Sequence, residues 1–181
     1  MPLKQHTSHI SHPAWLLLVP CALYLVSLSA CGIYRFNEAS GGVPDSIKTV
    51  RVNTIENHAR YINPQLSQKL TDKLKQKIVS QTKLTQTNND NADWEISGEI
   101  KDYSVTTSGI SQQQVSINRL NVTVQISLFK RKQNIQLDPF VITKNFDFSS
   151  NLTLQAAEAQ LTDEIIRNLT DEIFNRIFSD W

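Results

Sequence analysis

The residue types that could carry chemistry, cysteine and histidine, are concentrated near the N-terminus of this 181-residue chain. Cys31 directly follows Leu28-Ser29-Ala30, at the end of an uncharged apolar run that begins at Ala14. The run is too short for an ordinary transmembrane helix but has the length of a signal-peptide core, and the basic residue Lys4 precedes it. Small residues followed at once by cysteine form a lipobox, the site at which bacterial lipoprotein precursors are cut and acylated.

The expected product is a protein whose first residue is a lipidated Cys31. We expect residues 1–30 to be removed, residues 31–45 to form a tether and residues 46–181 to form a single domain. Several acyl chains on Cys31 would hold the protein on a membrane, and this covalent lipid is the only cofactor that the sequence predicts. The alternatives are a plain secretory signal, or an N-terminal anchor helix with an incidental cysteine.

The histidines predict neither a catalytic site nor a metal site. His6, His9 and His12 are spaced by three, which can mimic a metal-binding pattern, but they lie in the segment that we expect to be removed. His58 is the one histidine that remains, and it lies in a polar stretch. The sequence has no phosphate-binding loop, nucleophile elbow or pair of zinc ligands. We therefore expect a protein that is not an enzyme.

The charge and the cysteine content limit the remaining classes of function. The formal net charge is +1, so no basic excess points to nucleic acid. Of the two cysteines, Cys21 lies in the leader and Cys31 is the predicted acylation site, which leaves no thiol for a disulfide. Stability must therefore come from the burial of apolar side chains.

Hydrophobic periodicity predicts four strands and two helices. Strands are expected over residues 47–55, 94–105, 115–128 and 140–148. The first helix opens at Pro64 and carries an apolar residue at every fourth position from Leu66 to Ile78. The second begins near Leu154, and its apolar stripe comprises Leu161, Ile165, Leu169, Ile173 and Ile177. The order β-α-β-β-β-α predicts an α+β two-layer sandwich, with two helices on one face of a four-stranded, mostly antiparallel sheet.

The alternation of apolar residues changes phase once in each of the two central strands. The shift precedes Tyr103 and Val105 in one strand and follows Val115 and Ile117 in the other. A β-bulge in each strand would keep every apolar residue on one face. The alternative is that the strand ends next to the turn at 106–114 present these four residues on the opposite face, to a partner.

Several stretches of the chain follow one another in the order and spacing of a known family. They are Cys31-Gly32-Ile33-Tyr34, Pro44–Val50, Leu66–Ile78 and Trp94–Val105. In these stretches the chain resembles LptE, the outer-membrane lipoprotein of lipopolysaccharide assembly. Residues 118–124 and 163–181 are most similar to the Bacteroidota branch of that family.

The resemblance implies a fold, a partner and a location. The fold is a sandwich of two helices and four strands, and the partner is LptD, a large β-barrel in which LptE sits as a plug. Together they insert lipopolysaccharide into the outer leaflet, and LptE itself is not an enzyme. Gly32, rather than aspartate, follows the lipidated cysteine, so we expect an outer-membrane anchor with the domain facing the periplasm.

Two sets of contact residues follow from these expectations. Some family members bind lipopolysaccharide through basic residues at a loop end of the sheet, and the candidates here are Lys130, Arg131 and Lys132, because lipid phosphates suit such side chains. The candidates for barrel contact lie at the hairpin end: Tyr103, Gln112, Gln113, Val115 and Ile117. The competing functions are a free-standing periplasmic adaptor that activates a cell-wall enzyme, and a carrier of small molecules or lipids. The apolar stripes of the two helices are large enough to fill the core, which argues against a carrier.

Overall fold

The computed structural model describes residues 43–108 and 117–179, which comprise two α-helices, one short 3-10 helix (Arg131–Gln133) and seven strands. The helices are α1 (Leu66–Gln81) and α2 (Leu154–Phe178). The strands are β1 (Thr49–Val52), β2 (Glu56–Asn57), β3 (Thr85–Gln86), β4 (Trp94–Ser108), β5 (Ile117–Lys130), β6 (Ile135–Gln136) and β7 (Phe140–Ser149). Cys31, Gln112, Gln113 and Val115 lie outside the described residues, as do the predicted leader and most of the tether.

The strands form one mixed sheet in the order β3-β1-β4-β5-β6, with β2 also paired to β4 and β7 also paired to β5. The long pairs β4/β5 and β5/β7 are antiparallel, whereas β1 pairs in parallel with β3 and β4. The predicted α+β sandwich is confirmed, and β1, β4, β5 and β7 are its four predicted strands. The sheet has more than four strands because β2, β3 and β6 join it as two-residue segments.

The first helix buries the whole stripe that its sequence predicts, and the second buries the middle of its stripe, with Leu161 and Ile177 partly buried. Leu70, Leu74 and Ile78 of α1, and Leu169 and Ile173 of α2, have no exposed surface and belong to the one core cluster shared with the sheet. The N-terminus of α1 is capped by the Asn63 side chain, whose Oδ1 accepts the backbone N–H of Leu66 at 3.1 Å. At the start of α2 the Thr153 hydroxyl accepts the N–H of Ala156 at 3.2 Å.

The domain contains its own core. The cluster draws its apolar side chains from both helices and from the sheet, and residues 38–181 form one compact unit. This unit can therefore be studied as a separate domain. Within the described residues, neither helix is long and apolar enough to cross a membrane.

Gly98 allows β4 and β5 to approach closely on the core side. A Cβ atom at this position would lie 2.6 Å from Cδ1 of Ile126 and 3.1 Å from the backbone oxygen of Gln125. The first contact is too short and the second is tight, so a larger residue at this position would require the Ile126 side chain to shift.

The two phase shifts in the sequence have different structural causes. In β4 the pairing with β5 skips Lys101, between Ile100 and Asp102, and this bulge returns Tyr103 to the core face. In β5 the pairing with β7 runs without a break from residue 117 to residue 126. Ile117 therefore lies on the face opposite Leu120 and the core. The bulge is confirmed for β4, whereas in β5 Ile117 faces away from the core, as the alternative expects, and Val115 lies outside the described residues.

Candidate interaction surface

The sheet face opposite the helices is lined by polar side chains that align in rows across β4, β5 and β7. Three of these rows cross all three strands, and we call them the polar rows. They are Asp102–Thr123–Thr143, Ser104–Asn121–Asn145 and Thr106–Arg119–Asp147. On β5 every second residue from Leu120 to Leu128 is buried in the core, so the residues between them face outward. The polar rows thus form a face that no helix of the described residues covers.

Hydrogen bonds link neighbouring strands along the polar rows. Arg119 makes a two-point contact with Asp147, with Nε–Oδ1 at 2.7 Å and Nη2–Oδ2 at 3.0 Å. This contact lowers the pKa of Asp147, and the main cause is the hydrogen bond that its carboxylate accepts from Arg119. The Thr123 and Thr143 hydroxyls are 3.0 Å apart. Both partners of the ion pair are more than two-fifths exposed, so the pair adds little stability and serves mainly to fix the orientation of the two side chains.

Two exposed apolar side chains interrupt this polar face. Ile117 is 43% exposed and stands opposite Ser149 of β7, at the hairpin end of the sheet. Val141 is 55% exposed and stands opposite Gln125. Val105 is also exposed, but it does not lie on this face. It pairs with the buried Leu120 and therefore points to the core side of the sheet. Ile117 is thus the predicted contact residue that the structure places on the polar face.

Tyr103 does not lie on that face, and the prediction that it does is wrong. Its ring is buried on the core side and stacks on Tyr61, with the ring centroids 5.6 Å apart. Burial, and after it the Glu158 carboxylate of α2, raise the pKa of Tyr103 well above its usual range. Asn63 also donates to Glu158, at 2.9 Å. The bulge at Lys101 is the physical reason, because it turns Tyr103 toward this group of polar partners.

The basic turn after β5 is held by contacts within the protein. Arg131 pairs with Glu95, with Nη2–Oε2 at 2.9 Å, and Lys132 pairs with Asp93, with Nζ–Oδ1 at 3.1 Å. Lys130 lies over the Trp94 ring, 5.2 Å from its centroid. Within the described residues no carboxylate forms an ion pair with Lys130. Lipopolysaccharide contact through this turn stays a prediction, and two of its three cations already have partners.

Asp93 organises this end of the sheet, although the sequence does not single it out. Its Oδ2 accepts the backbone N–H groups of Lys48 at 2.7 Å and of Thr49 at 3.0 Å. Burial raises the pKa of the carboxyl, but the hydrogen bonds from Lys48, Thr49 and Lys132 outweigh it and bring the pKa from 3.8 to about 2. The carboxylate therefore joins the start of β1 to the start of β4 and to the basic turn.

His58 lies between two carboxylates on the exposed side of the sheet. Nδ1 is 2.9 Å from Glu99 and Nε2 is 3.0 Å from Glu56, and the side chain is 56% exposed. Both ring nitrogens are engaged in these contacts. Across residues 43–108 and 117–179, no group of side chains has the composition and spacing to hold a metal ion.

Comparison with known proteins identifies the family of the chain. The family LptE, described as lipopolysaccharide-assembly, matches residues 47–177. No curated protein matches the sequence significantly. The fold is similar to a minor lipoprotein from Acinetobacter baumannii, with 17% identity and a TM-score of 0.50 over 74% of this chain and 94% of that one. It is also similar to lipoprotein B from Nitrosomonas europaea, with 14% identity and a TM-score of 0.50 over 81% of this chain and 90% of that one. Because the family match covers almost the whole domain, from β1 into the last turn of α2, the chain belongs to the LptE family of lipopolysaccharide-assembly proteins.

Proposed function

We propose that this protein is an outer-membrane lipoprotein that occupies the lumen of an LptD-like β-barrel, assists the assembly of that barrel and thereby serves lipopolysaccharide transport to the outer leaflet. It performs no catalysis in this role. The observation that carries the proposal, beside the family match, is the polar face. It spans three strands, and no helix of the described residues covers it.

The chemistry of the polar face suits the inside of a barrel. The lumen of an outer-membrane barrel is polar, so a plug must offer hydrogen-bonding groups rather than an apolar surface. Hydroxyl and amide side chains such as Thr123 and Asn121 can exchange water for lumen groups at small cost, provided that each finds a partner. The charged residues Arg119 and Asp147 already neutralise each other, which avoids the large cost of burying an unpaired charge.

Ile117 gives the proposal a direct test. It lies at the hairpin end of the polar face, and the predicted contact residues Gln112, Gln113 and Val115 precede it in the sequence. The substitution Ile117→Asp places one charge in the proposed interface, and we expect it to lower recovery of the barrel in a pull-down at least about tenfold. The fold should survive, because the Ile117 side chain is 43% exposed.

The matched control is Val79→Asp. Val79 is an apolar residue of α1 with 50% exposure, so the same charge is introduced at similar exposure in the helix layer. Normal barrel recovery by a folded Ile117→Asp protein would exclude this face as the contact. Failure of the unaltered protein to recover any barrel would instead favour the free-standing adaptor.

A further inference from the structure

A cleft opens where the C-terminal end of α2 meets the strand ends on the core side of the sheet. It has a volume of about 660 Å³, within the range of small-ligand sites. Its apolar lining comes from Trp94, Leu128, Leu137, Phe140 and Ile177, and its charged lining from Lys130, Arg176 and Asp138. The polar rows face the other side of the sheet, so this cleft is separate from the proposed barrel contact.

Two cations stand at the aromatic walls of the cleft. Nζ of Lys130 is 5.2 Å from the Trp94 ring centroid, and the guanidinium carbon of Arg176 is 5.8 Å from that of Phe140. Among the described residues neither cation forms an ion pair with a carboxylate, whereas Arg131 and Lys132 of the neighbouring turn both do. Each positive charge is therefore held next to an apolar surface, with no carboxylate partner in the part of the chain that the structure describes.

From this charge complementarity we propose that the cleft binds a single-chain anionic amphiphile, an alkyl chain that carries one phosphate or carboxylate head. The chain would lie on the apolar lining, where Leu137 is already 37% exposed, and the head would contact Lys130 and Arg176. The volume suits one short chain rather than a lipid with several. Among the described residues of the lining, Asp138 carries the one carboxylate, and it opposes binding of an anion. The inference does not depend on the barrel contact.

The test uses the domain of residues 38–181 with decyl phosphate and decanoate below their critical micelle concentrations, decanol below its solubility limit, and inorganic phosphate. Calorimetry gives the affinity, and amide chemical shifts locate the site. We expect decyl phosphate and decanoate to bind, and decanol and inorganic phosphate to bind at least about tenfold more weakly, because each lacks half of the recognised chemistry. Equal binding of decanol, or shifts that fall outside the cleft, would overturn the proposal.

Two substitutions with opposite expected effects on the affinity make this test more specific. Arg176→Gln should weaken decyl phosphate binding about tenfold, and Asp138→Asn should strengthen it, since the first removes attraction and the second removes repulsion. Arg167→Gln is the matched control, because Arg167 lies on the same helix but lines a different groove. An equal effect of Arg167→Gln and Arg176→Gln would contradict the site. So would binding that appears only after residues 180 and 181 are removed, which would assign the cleft to the chain's own C-terminus.

Discussion

Asp93 is the residue whose removal should reveal most about how the sheet is held together. Its carboxylate accepts two backbone N–H groups from the start of β1 and pairs with Lys132 of the basic turn. The side chain is 13% exposed, so water screens these contacts only weakly. Asp93→Asn keeps the size of the side chain and one carbonyl acceptor, and it removes the negative charge.

The magnitude follows from the pKa of this carboxyl, which folding moves from 3.8 to about 2. At about 1.4 kcal/mol for each pKa unit, the ionised group stabilises the fold by roughly 2 kcal/mol. Because the pKa is lowered in the folded state, this stabilisation is complete above about pH 5 and is lost as the pH falls through about 4 toward 2. The cost of Asp93→Asn should therefore be about 2 kcal/mol near pH 7, about half of that near pH 3, and small only near pH 2.

Urea denaturation of the 38–181 domain at several pH values measures this difference. Asp138→Asn is the control, since Asp138 is exposed and should change the free energy of unfolding by less than about 0.5 kcal/mol at any pH. An equal cost of Asp93→Asn near pH 7 and near pH 3 would refute the reasoning. It would mean that the geometry of the amide, rather than the lost charge, weakens the contact with Lys48 and Thr49.

Three further predictions concern the core, the bulge and the anchor. Leu169→Ala, at a position with no exposed surface, should lower the free energy of unfolding by about 2–5 kcal/mol. An unchanged denaturation midpoint would show that α2 does not pack against the sheet through Leu169. Deletion of Lys101 should leave Tyr103 in the core and cost less than about 1 kcal/mol, because it removes the extra residue and makes the pairing of β4 with β5 continuous, and Lys101→Ala, which keeps the bulge, should also cost little. A loss of more than about 2 kcal/mol on deletion would show that the bulge itself is required. Cys31→Ala should abolish incorporation of radiolabelled lipid, and unchanged labelling would refute the predicted acylation site.

The sequence was sufficient to predict the elements that build the core. β5 and both helices each carry at least four apolar residues at the period of their own structure, and most of those residues are buried. The short strands β2, β3 and β6 could not be predicted in this way, because two residues have no period. They exist because their backbone groups pair with β1, β4 and β5, and such pairing is fixed by residues distant in the chain.

The predicted contact residues were harder to place, because their environment depends on long-range partners. The phase shift at Tyr103 is visible in the sequence, but its consequence depends on Tyr61 and Glu158, which come from the loop before α1 and from α2. A neighbouring aromatic ring and a carboxylate that accepts hydrogen bonds favour the bulge over an outward-facing ring. Asp93 was missed for a similar reason, since the N–H groups that it binds lie 44 and 45 residues away.

The polar face also explains how the domain could exist before it meets a partner. An uncovered face of three strands lined by apolar residues would favour aggregation in water. Here the side chains of Asn121, Thr123 and Arg119 form hydrogen bonds with side chains of neighbouring strands, and their outer surface stays in contact with water. The same groups can bind a polar lumen without a change in the fold, because the core lies entirely on the helix side. A domain that folds first and docks second needs such a face, and this order suits the proposed role in barrel assembly.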